Sequence, residues 1–128
     1  MIRDNISISF PAQKQYALLL RMQVAGAAAA YDLSVDMLDD LRMAAEEAYD
    51  YLLSGDIAPD TQLLCDMYRD EGSAVTLFLR LSGRTGQVLK NQENDIAYAI
   101  LKTLMNDVTL FADNQGGTGV RMMLKAEK

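Results

Sequence analysis

The segment Val35 to Ser54 constrains the fold most, because it carries the start signal, the period and the stop signal of one amphipathic helix. Ser34 suits the N-cap, and acidic side chains follow in the first turns, where the helix dipole favours negative charge. Gly55 and Pro59 end the pattern. Such a helix must cover its apolar stripe with other elements. The predicted stripe is Val35, Leu38, Leu41, Ala45, Ala48 and Leu52.

Two other helical patterns and several strand patterns surround this helix. Helical spacing predicts helices at about 14–31 and about 94–106. In the first of these, the run Gly26 to Ala30 would let another element approach closely. The predicted inward positions are Tyr16, Leu19, Leu20, Ala27, Ala28 and Tyr31 in the first helix, and Ile96 or Ala97, Ile100, Leu101 and Leu104 in the later one.

Alternation of apolar and polar residues predicts the strands. Ile6, Ile8 and Phe10 indicate the first strand, which Pro11 stops. Segments at about 62–69 and 74–81 predict a hairpin with a turn at 70–73, and segments at 108–112 and 120–125 predict a closing hairpin. The order is therefore β-α-α-β-β-α-β-β, which is typical of a single α+β domain over residues 1–128. We expect a two-layer sandwich with the helices on one face of a mostly antiparallel sheet.

Composition excludes several classes of function. The 128 residues contain no histidine and one cysteine, Cys65, so a disulfide framework, a Cys/His zinc site and Ser-His or Cys-His catalysis are all excluded within one chain. A net charge of -6 is the wrong sign for binding phosphate backbones, so nucleic acid is not an expected partner. The apolar stretch Tyr16 to Tyr31 contains Arg21 and Gln23 and predicts a buried helix. Because the N-terminus lacks the features of a signal peptide, we expect a cytoplasmic protein.

Two features could carry chemistry. Glu47 falls between the apolar stripe and the outer face, in line with Asp40, Ala44 and Tyr51, where a carboxylate can be partly buried and act as a general base. The alternative is a solvated acidic face, the ordinary state of charged residues on a helix. The loop from Gly83 to Gly86 could offer backbone N–H groups to phosphate, although an ordinary strand-end loop explains it equally well. Neither feature predicts a metal site.

Five segments taken in order carry a resemblance to a known family: 7–11, 33–38, 45–48, 104–108 and 116–120. Together they resemble the histidine-kinase-like ATPases, and within that superfamily they look most like the anti-sigma-factor serine kinases of bacteria. The resemblance covers nearly the whole chain and implies the same order of elements. It also implies protein partners, namely a sigma factor or an anti-anti-sigma antagonist, and homodimerisation.

The resemblance further implies where ATP and Mg²⁺ would bind. Glu47-Ala48 matches the first half of the family's E-A-x-x-N motif, whose glutamate activates the attacking group, but Tyr51 stands at the position of its metal-binding asparagine. Leu81 stands where the D-x-G-x-G motif has its adenine-binding aspartate, with Gly83 at the first glycine and Gly86 near the second. Asp95 would place negative charge at a helix N-terminus that should meet phosphate.

Two readings explain this pattern, and a plain scaffold with no regulatory partner is a third that the composition also allows. In the first, the chain is a regulatory protein-binding module that resembles an anti-sigma factor, with a degenerate ATP site and no catalytic activity. In the second, it is an active ATP-dependent serine kinase in which Glu47 is the base and Asp50 or Glu46 replaces the metal-binding asparagine. The first reading explains more of the sequence, because the register shift in the second restores neither the adenine acceptor nor the long lid of the family.

Overall fold

The computed structural model describes residues 3–54, 57–70, 74–82, 92–112 and 118–125, with the side chains of 92–95 and 112 left aside. Within these ranges the chain forms strands, helices and one 3-10 turn in the predicted order. The elements are β1 (Arg3–Pro11), a 3-10 turn (Lys14–Tyr16), α1 (Ala17–Ala30), α2 (Val35–Leu52), β2 (Gln62–Arg69), β3 (Val75–Leu81), α3 (Gln92–Leu104), β4 (Asp107–Ala112) and β5 (Thr118–Leu124). The predicted bounds were correct to within a few residues. Of the turn predicted at 70–73, residues 71–73 lie outside the described residues, as does the whole turn at 114–117 that the closing hairpin requires.

The five strands form one sheet in the order β1-β2-β3-β5-β4, and every neighbouring pair is antiparallel. The register places apolar residues opposite one another across the central strands: Cys65 pairs with Leu79, and Leu79 pairs with Val120. Because side chains alternate along a strand, this register gathers the buried set on one face. The helices cover that face, which confirms the predicted α+β sandwich.

The helices lie side by side, with α2 in contact with both α1 and α3. Ser34 caps α2, since its Oγ accepts a hydrogen bond from the Met37 backbone N–H at 3.2 Å. Asp32, with φ of 61°, provides the left-handed residue that ends α1, and the Leu33 N–H then donates to the Ala28 carbonyl at 3.1 Å. These two local devices reverse the chain between α1 and α2.

The buried stripes differ from the predicted ones at three positions. Val35 is 72% exposed, Leu19 40% and Ile100 39%, and of the alternatives Ile96 and Ala97 it is Ala97 that is buried. In α2 the buried surface is wider than a simple stripe, because small residues let neighbouring elements approach and two tyrosines close its edges; it consists of Met37, Leu41, Ala44, Ala45, Ala48, Tyr49, Tyr51 and Leu52. In α3 the buried residues with described side chains are Ala97 and Leu101, and Met105 follows just after the helix.

Candidate functional site

The edge of α2 that faces α3 carries the predicted functional residues. Glu47 and Tyr51 are four residues apart and therefore lie on one side of the helix. Further toward the N-terminus, Met37 and Asp40 line a groove of about 880 Å³ together with the C-terminal part of α3. Steps of three and four along a helix keep side chains on one side. One row on the α3 side of α2 therefore contains Asp40, Ala44, Glu47 and Tyr51. The sequence-based alignment of these residues in one row was correct.

Tyr51 is 4% exposed, so its whole side chain belongs to the core. Its hydroxyl oxygen is buried and has no hydrogen-bond partner. Burial raises the pKa of Tyr51 to about 12, so the phenol stays protonated at every physiological pH. A neutral phenol is a poor ligand for Mg²⁺, which prefers carboxylate, carbonyl and water oxygens.

Glu47 lies one turn before Tyr51 on the same side of α2 and is half-buried. Burial raises the pKa of Glu47, and the negative charge of Asp50 raises it further. A carboxylate with a raised pKa is suited to accept a proton, as a general base does. Glu46 points the other way, since its Oε2 forms an ion pair with Arg21 Nε on α1 at 3.4 Å.

The end of β3 holds the next predicted position. Leu81 is 2% exposed and pairs with Leu63 on β2, so its side chain is part of the apolar core. Ser82 then closes the strand end, because its Oγ accepts from the Gln62 N–H at 3.0 Å and its own N–H donates to the Gln62 carbonyl at 2.9 Å. Gly83 and Gly86 lie outside the described residues, as does the side chain of Asp95.

Sequence reasoning missed the groove at the N-terminal end of α2. Its charged lining residues come from distant parts of the chain: Asp32, Asp36 and Asp40 near α2, Lys102 on α3 and Lys125 after β5. The acidic residues at the start of α2 were the one available signal, and helix capping already explained them. Across the described ranges, no three acidic or cysteine side chains are close enough to hold a metal ion.

No family model matches this sequence, and no curated protein matches it. The structure does resemble solved structures, and the class that it resembles is the histidine-kinase-like fold. One such structure is that of the RsbU and RsbW domains of Rv1364c from Mycobacterium tuberculosis, with a TM-score of 0.75 at 15% sequence identity. The match covers 98% of this chain but only 33% of that chain, where it falls on the RsbW domain. At this identity the likeness establishes the fold alone.

The helices were also compared with the length and hydropathy that a bilayer requires. Over the described residues, none is both long and apolar enough to span one.

Proposed function

We propose that this chain is a regulatory protein-binding module of the anti-sigma type, in which the nucleotide site no longer holds Mg·ATP. One observation carries the proposal: the buried, unpartnered phenol of Tyr51 stands where the resemblance places a metal-binding asparagine. An amide at this position would supply an oxygen ligand for Mg²⁺, and the phenol does not. Glu47 therefore lies beside a position filled by a core side chain.

Leu81 supports the same proposal from the adenine side of the site. It stands where the resemblance places an aspartate that accepts a hydrogen bond from the adenine amino group, and its buried side chain has no acceptor to offer. A buried amino group left without its acceptor loses about 1–3 kcal/mol, which lowers affinity roughly 5- to 150-fold. In this proposal the position for Mg²⁺ is thus occupied by an unpartnered phenol and the position for adenine by an apolar side chain.

The partners that we propose follow from the resemblance and from the RsbW-like fold. They are a sigma factor or an anti-anti-sigma antagonist in a bacterial cytoplasm, together with a second copy of the chain. The net charge of -6 favours a protein partner over nucleic acid. Residues 1–128 act as a single domain in this proposal.

The first experiment is a thermal-shift and calorimetric titration with Mg·ATP and Mg·ADP, with Mg²⁺ alone as the control. A ligand present at a hundred times its Kd would stabilise the fold by about 2.7 kcal/mol. We expect no shift at millimolar nucleotide. Saturable binding with a micromolar Kd would contradict the degenerate site.

The second experiment measures binding to purified candidate proteins by sedimentation. We expect a 1:1 or 2:1 complex with a sigma factor or an antagonist, formed equally well with and without Mg·ATP. A chain that binds none of the sigma factors and antagonists of its own genome would rule out the regulatory module.

An active serine kinase is the second candidate, and the raised pKa of Glu47 favours it. In that reaction the Glu47 carboxylate takes the proton of a serine hydroxyl while the serine oxygen attacks the γ-phosphorus of ATP, and ADP leaves. The test is phosphate transfer from Mg·ATP to the antagonist, measured for the wild type and for Glu47→Gln. Transfer that Glu47→Gln abolishes would establish the kinase, whereas no transfer by the wild type would exclude it.

A further inference from the structure

The face of the sheet that points away from the helices is uncovered among the described residues. Antiparallel sheets with one solvated face normally place apolar side chains inward and polar ones outward. In this sheet, several outward residues are instead apolar or aromatic and half-buried: Leu64 and Tyr68 on β2, Phe78 on β3, Phe111 on β4 and Met123 on β5. We call these five residues the open-face patch. An apolar patch rimmed by polar residues is typical of an interaction site.

Phe78 and Phe111 form the centre of the open-face patch. Their ring centroids lie 5.4 Å apart at an interplanar angle of 60°, although β5 separates their two strands. The register explains this contact, because Phe78 pairs with Arg121 of β5 and Phe111 pairs with Gly119 of the same strand. The two rings therefore lean toward each other over β5.

Gly119 makes room for this arrangement. A Cβ built on Gly119 would lie 2.5 Å from Cζ of Phe111 and 2.9 Å from the carbonyl oxygen of Leu79. Glycine inside a strand has no side chain to pack and is typical of a place where another group approaches the backbone closely. The Phe111 ring thus covers the β5 backbone, and its position depends on the missing side chain.

Two arginines flank the aromatic centre, and both are exposed. The Arg80 guanidinium carbon lies 6.0 Å from the Phe78 ring centroid, at the outer limit of a cation–π contact. Arg121 is the cross-strand neighbour of Phe78 on β5. Within the described part of the chain, neither guanidinium forms an ion pair. Both groups can therefore donate hydrogen bonds to a carboxylate from outside the chain.

The acidic groups on the same face do not pair with these arginines. Asp66 lies on the other side of Phe78, where its Oδ1 accepts a hydrogen bond from Ser7 Oγ. Asp107 and Arg121 line a depression of about 200 Å³, but no ion pair joins them. This volume is below the roughly 300 Å³ at which small-molecule sites begin, so the depression fits a side chain better than a cofactor.

Charge selects one class of occupant for this face. Unpaired arginines beside apolar side chains complement carboxylates beside apolar side chains. A second copy of the chain, placed with the same patch against itself, would bring arginines together. Aromatic and arginine side chains on a sheet also suit the bases of single-stranded RNA, but two arginines on a chain of net charge -6 are a poor match for a run of phosphates.

We propose that the open-face patch and its two arginines bind a protein segment that carries Asp or Glu beside large apolar side chains. The surface lies on the opposite side of the sheet from α2, so this inference goes beyond the proposed function and does not depend on the nucleotide site. The negative net charge of the chain does not prevent the contact, because physiological salt screens charges beyond about 8 Å. We expect a Kd of about micromolar order.

The first test uses a display library of random linear peptides as the probe. The library is selected on the wild type, with an excess of the soluble double variant Arg80→Gln, Arg121→Gln as competitor. We expect the retained peptides to be enriched in Asp and Glu next to Phe, Tyr, Trp or Leu. The most enriched peptide is then synthesised with a fluorophore, and its Kd is measured by fluorescence anisotropy.

The second test measures the Kd of that peptide for single variants with matched controls. Arg121→Gln removes a charge of the proposed surface, whereas Arg21→Gln removes an exposed arginine of α1. We expect Arg121→Gln to weaken binding about tenfold or more and Arg21→Gln to change it less than about twofold. Phe111→Thr should weaken it about fivefold or more, and Tyr98→Thr, which removes an exposed ring on α3, less than about twofold. Thermal unfolding shows whether each variant keeps its fold, and the arginine pair decides if Phe111→Thr does not.

The outcomes are distinct from those of the nucleotide titration. A peptide rich in Asp and Glu that Arg121→Gln weakens selectively supports the proposed surface. The surface is overturned if every retained peptide binds the double variant equally well, or if the retained peptides are rich in Lys and Arg. Tighter binding of a uridine oligonucleotide than of any peptide would make the occupant RNA, and a dimer that Arg121→Gln dissociates would make it a second copy. Both results overturn the acidic protein segment.

Discussion

Each edge of α2 buries a tyrosine, but the hydroxyl is hydrogen-bonded on one edge and not on the other. On the edge toward α1, the Tyr49 hydroxyl donates to the Gln13 carbonyl and its ring meets Phe10 edge-on at 6.0 Å between centroids. On the opposite edge, toward α3, the Tyr51 hydroxyl is equally buried and has no partner. Two positions apart on one helix, the same side chain is fully satisfied in one place and unsatisfied in the other.

This difference distinguishes an edge of α2 whose tyrosine hydroxyl is paired from an edge whose tyrosine hydroxyl is not. A buried hydroxyl without a partner costs about 1–3 kcal/mol. Glu47, whose pKa burial raises, lies on the same edge as Tyr51. The α3 edge therefore combines an unpartnered hydroxyl with a carboxyl group of raised pKa.

The largest effect is expected for Tyr51→Asn, which restores the asparagine of the resembled motif. Loss of the buried ring leaves a cavity, so we expect the free energy of unfolding to fall by about 3 kcal/mol in urea titrations. Mg·ATP should remain without effect on the melting temperature, because Leu81 still offers adenine no acceptor. Nucleotide binding by this variant would show that Tyr51 alone blocks the site.

Tyr49→Phe comes next in size. It removes the hydroxyl that donates to the Gln13 carbonyl and keeps the ring that packs on Phe10. We expect the free energy of unfolding to fall by about 1 kcal/mol, the usual net contribution of one hydrogen bond. An unchanged urea midpoint would mean that water replaces the hydroxyl at no cost.

Tyr51→Phe is the matched control and should act in the opposite direction. Deleting a buried hydroxyl that has no partner removes a desolvation penalty, so we expect a gain of up to about 1 kcal/mol or no change. The comparison of the two edges fails if Tyr51→Phe destabilises the protein as much as Tyr49→Phe does.

The order of the elements could be predicted because strand and helix periods are local properties of the sequence. The start of α2 followed from Ser34 alone, since a cap acts within one turn. Exposure was harder to predict. Val35 matched the apolar stripe, yet it lies in the first turn and is 72% exposed. The position of a residue on the apolar stripe does not show whether the folded chain covers it.

The candidate site could be predicted in part for the same reason. The spacing of Glu47 and Tyr51 placed them on one edge, but the missing partner of the Tyr51 hydroxyl depends on elements far away in sequence. The engagement of Glu46 by Arg21, 25 positions earlier, was equally invisible. That ion pair turns Glu46, a metal ligand in the kinase alternative, toward α1.

The smallest expected effect is a pH dependence at Glu47. Burial, and then Asp50, raise its folded pKa above the ordinary value of 4.5, so the folded state binds the proton more tightly than the unfolded state. The contribution of Glu47 to stability therefore falls as pH rises from about the ordinary value through the folded pKa, and the loss persists above it. Glu47→Gln removes this loss. We expect equal stabilities of wild type and variant near pH 3 and a more stable variant at pH 7, measured by urea unfolding across that range.

Glu46→Gln is the control for this measurement, because it removes an exposed ion pair with Arg21 on the other edge of the same helix. Exposed pairs contribute about 0–1 kcal/mol, so this variant should be equal to or slightly less stable than the wild type at pH 7. Stability changes of opposite sign for Glu46→Gln and Glu47→Gln would distinguish the two edges of α2 by charge. The changes for Tyr49→Phe and Tyr51→Phe distinguish the same edges by hydrogen bonding. If Glu47→Gln is less stable than the wild type at pH 7, the Glu47 carboxylate has a stabilising partner and the two edges do not differ in this respect.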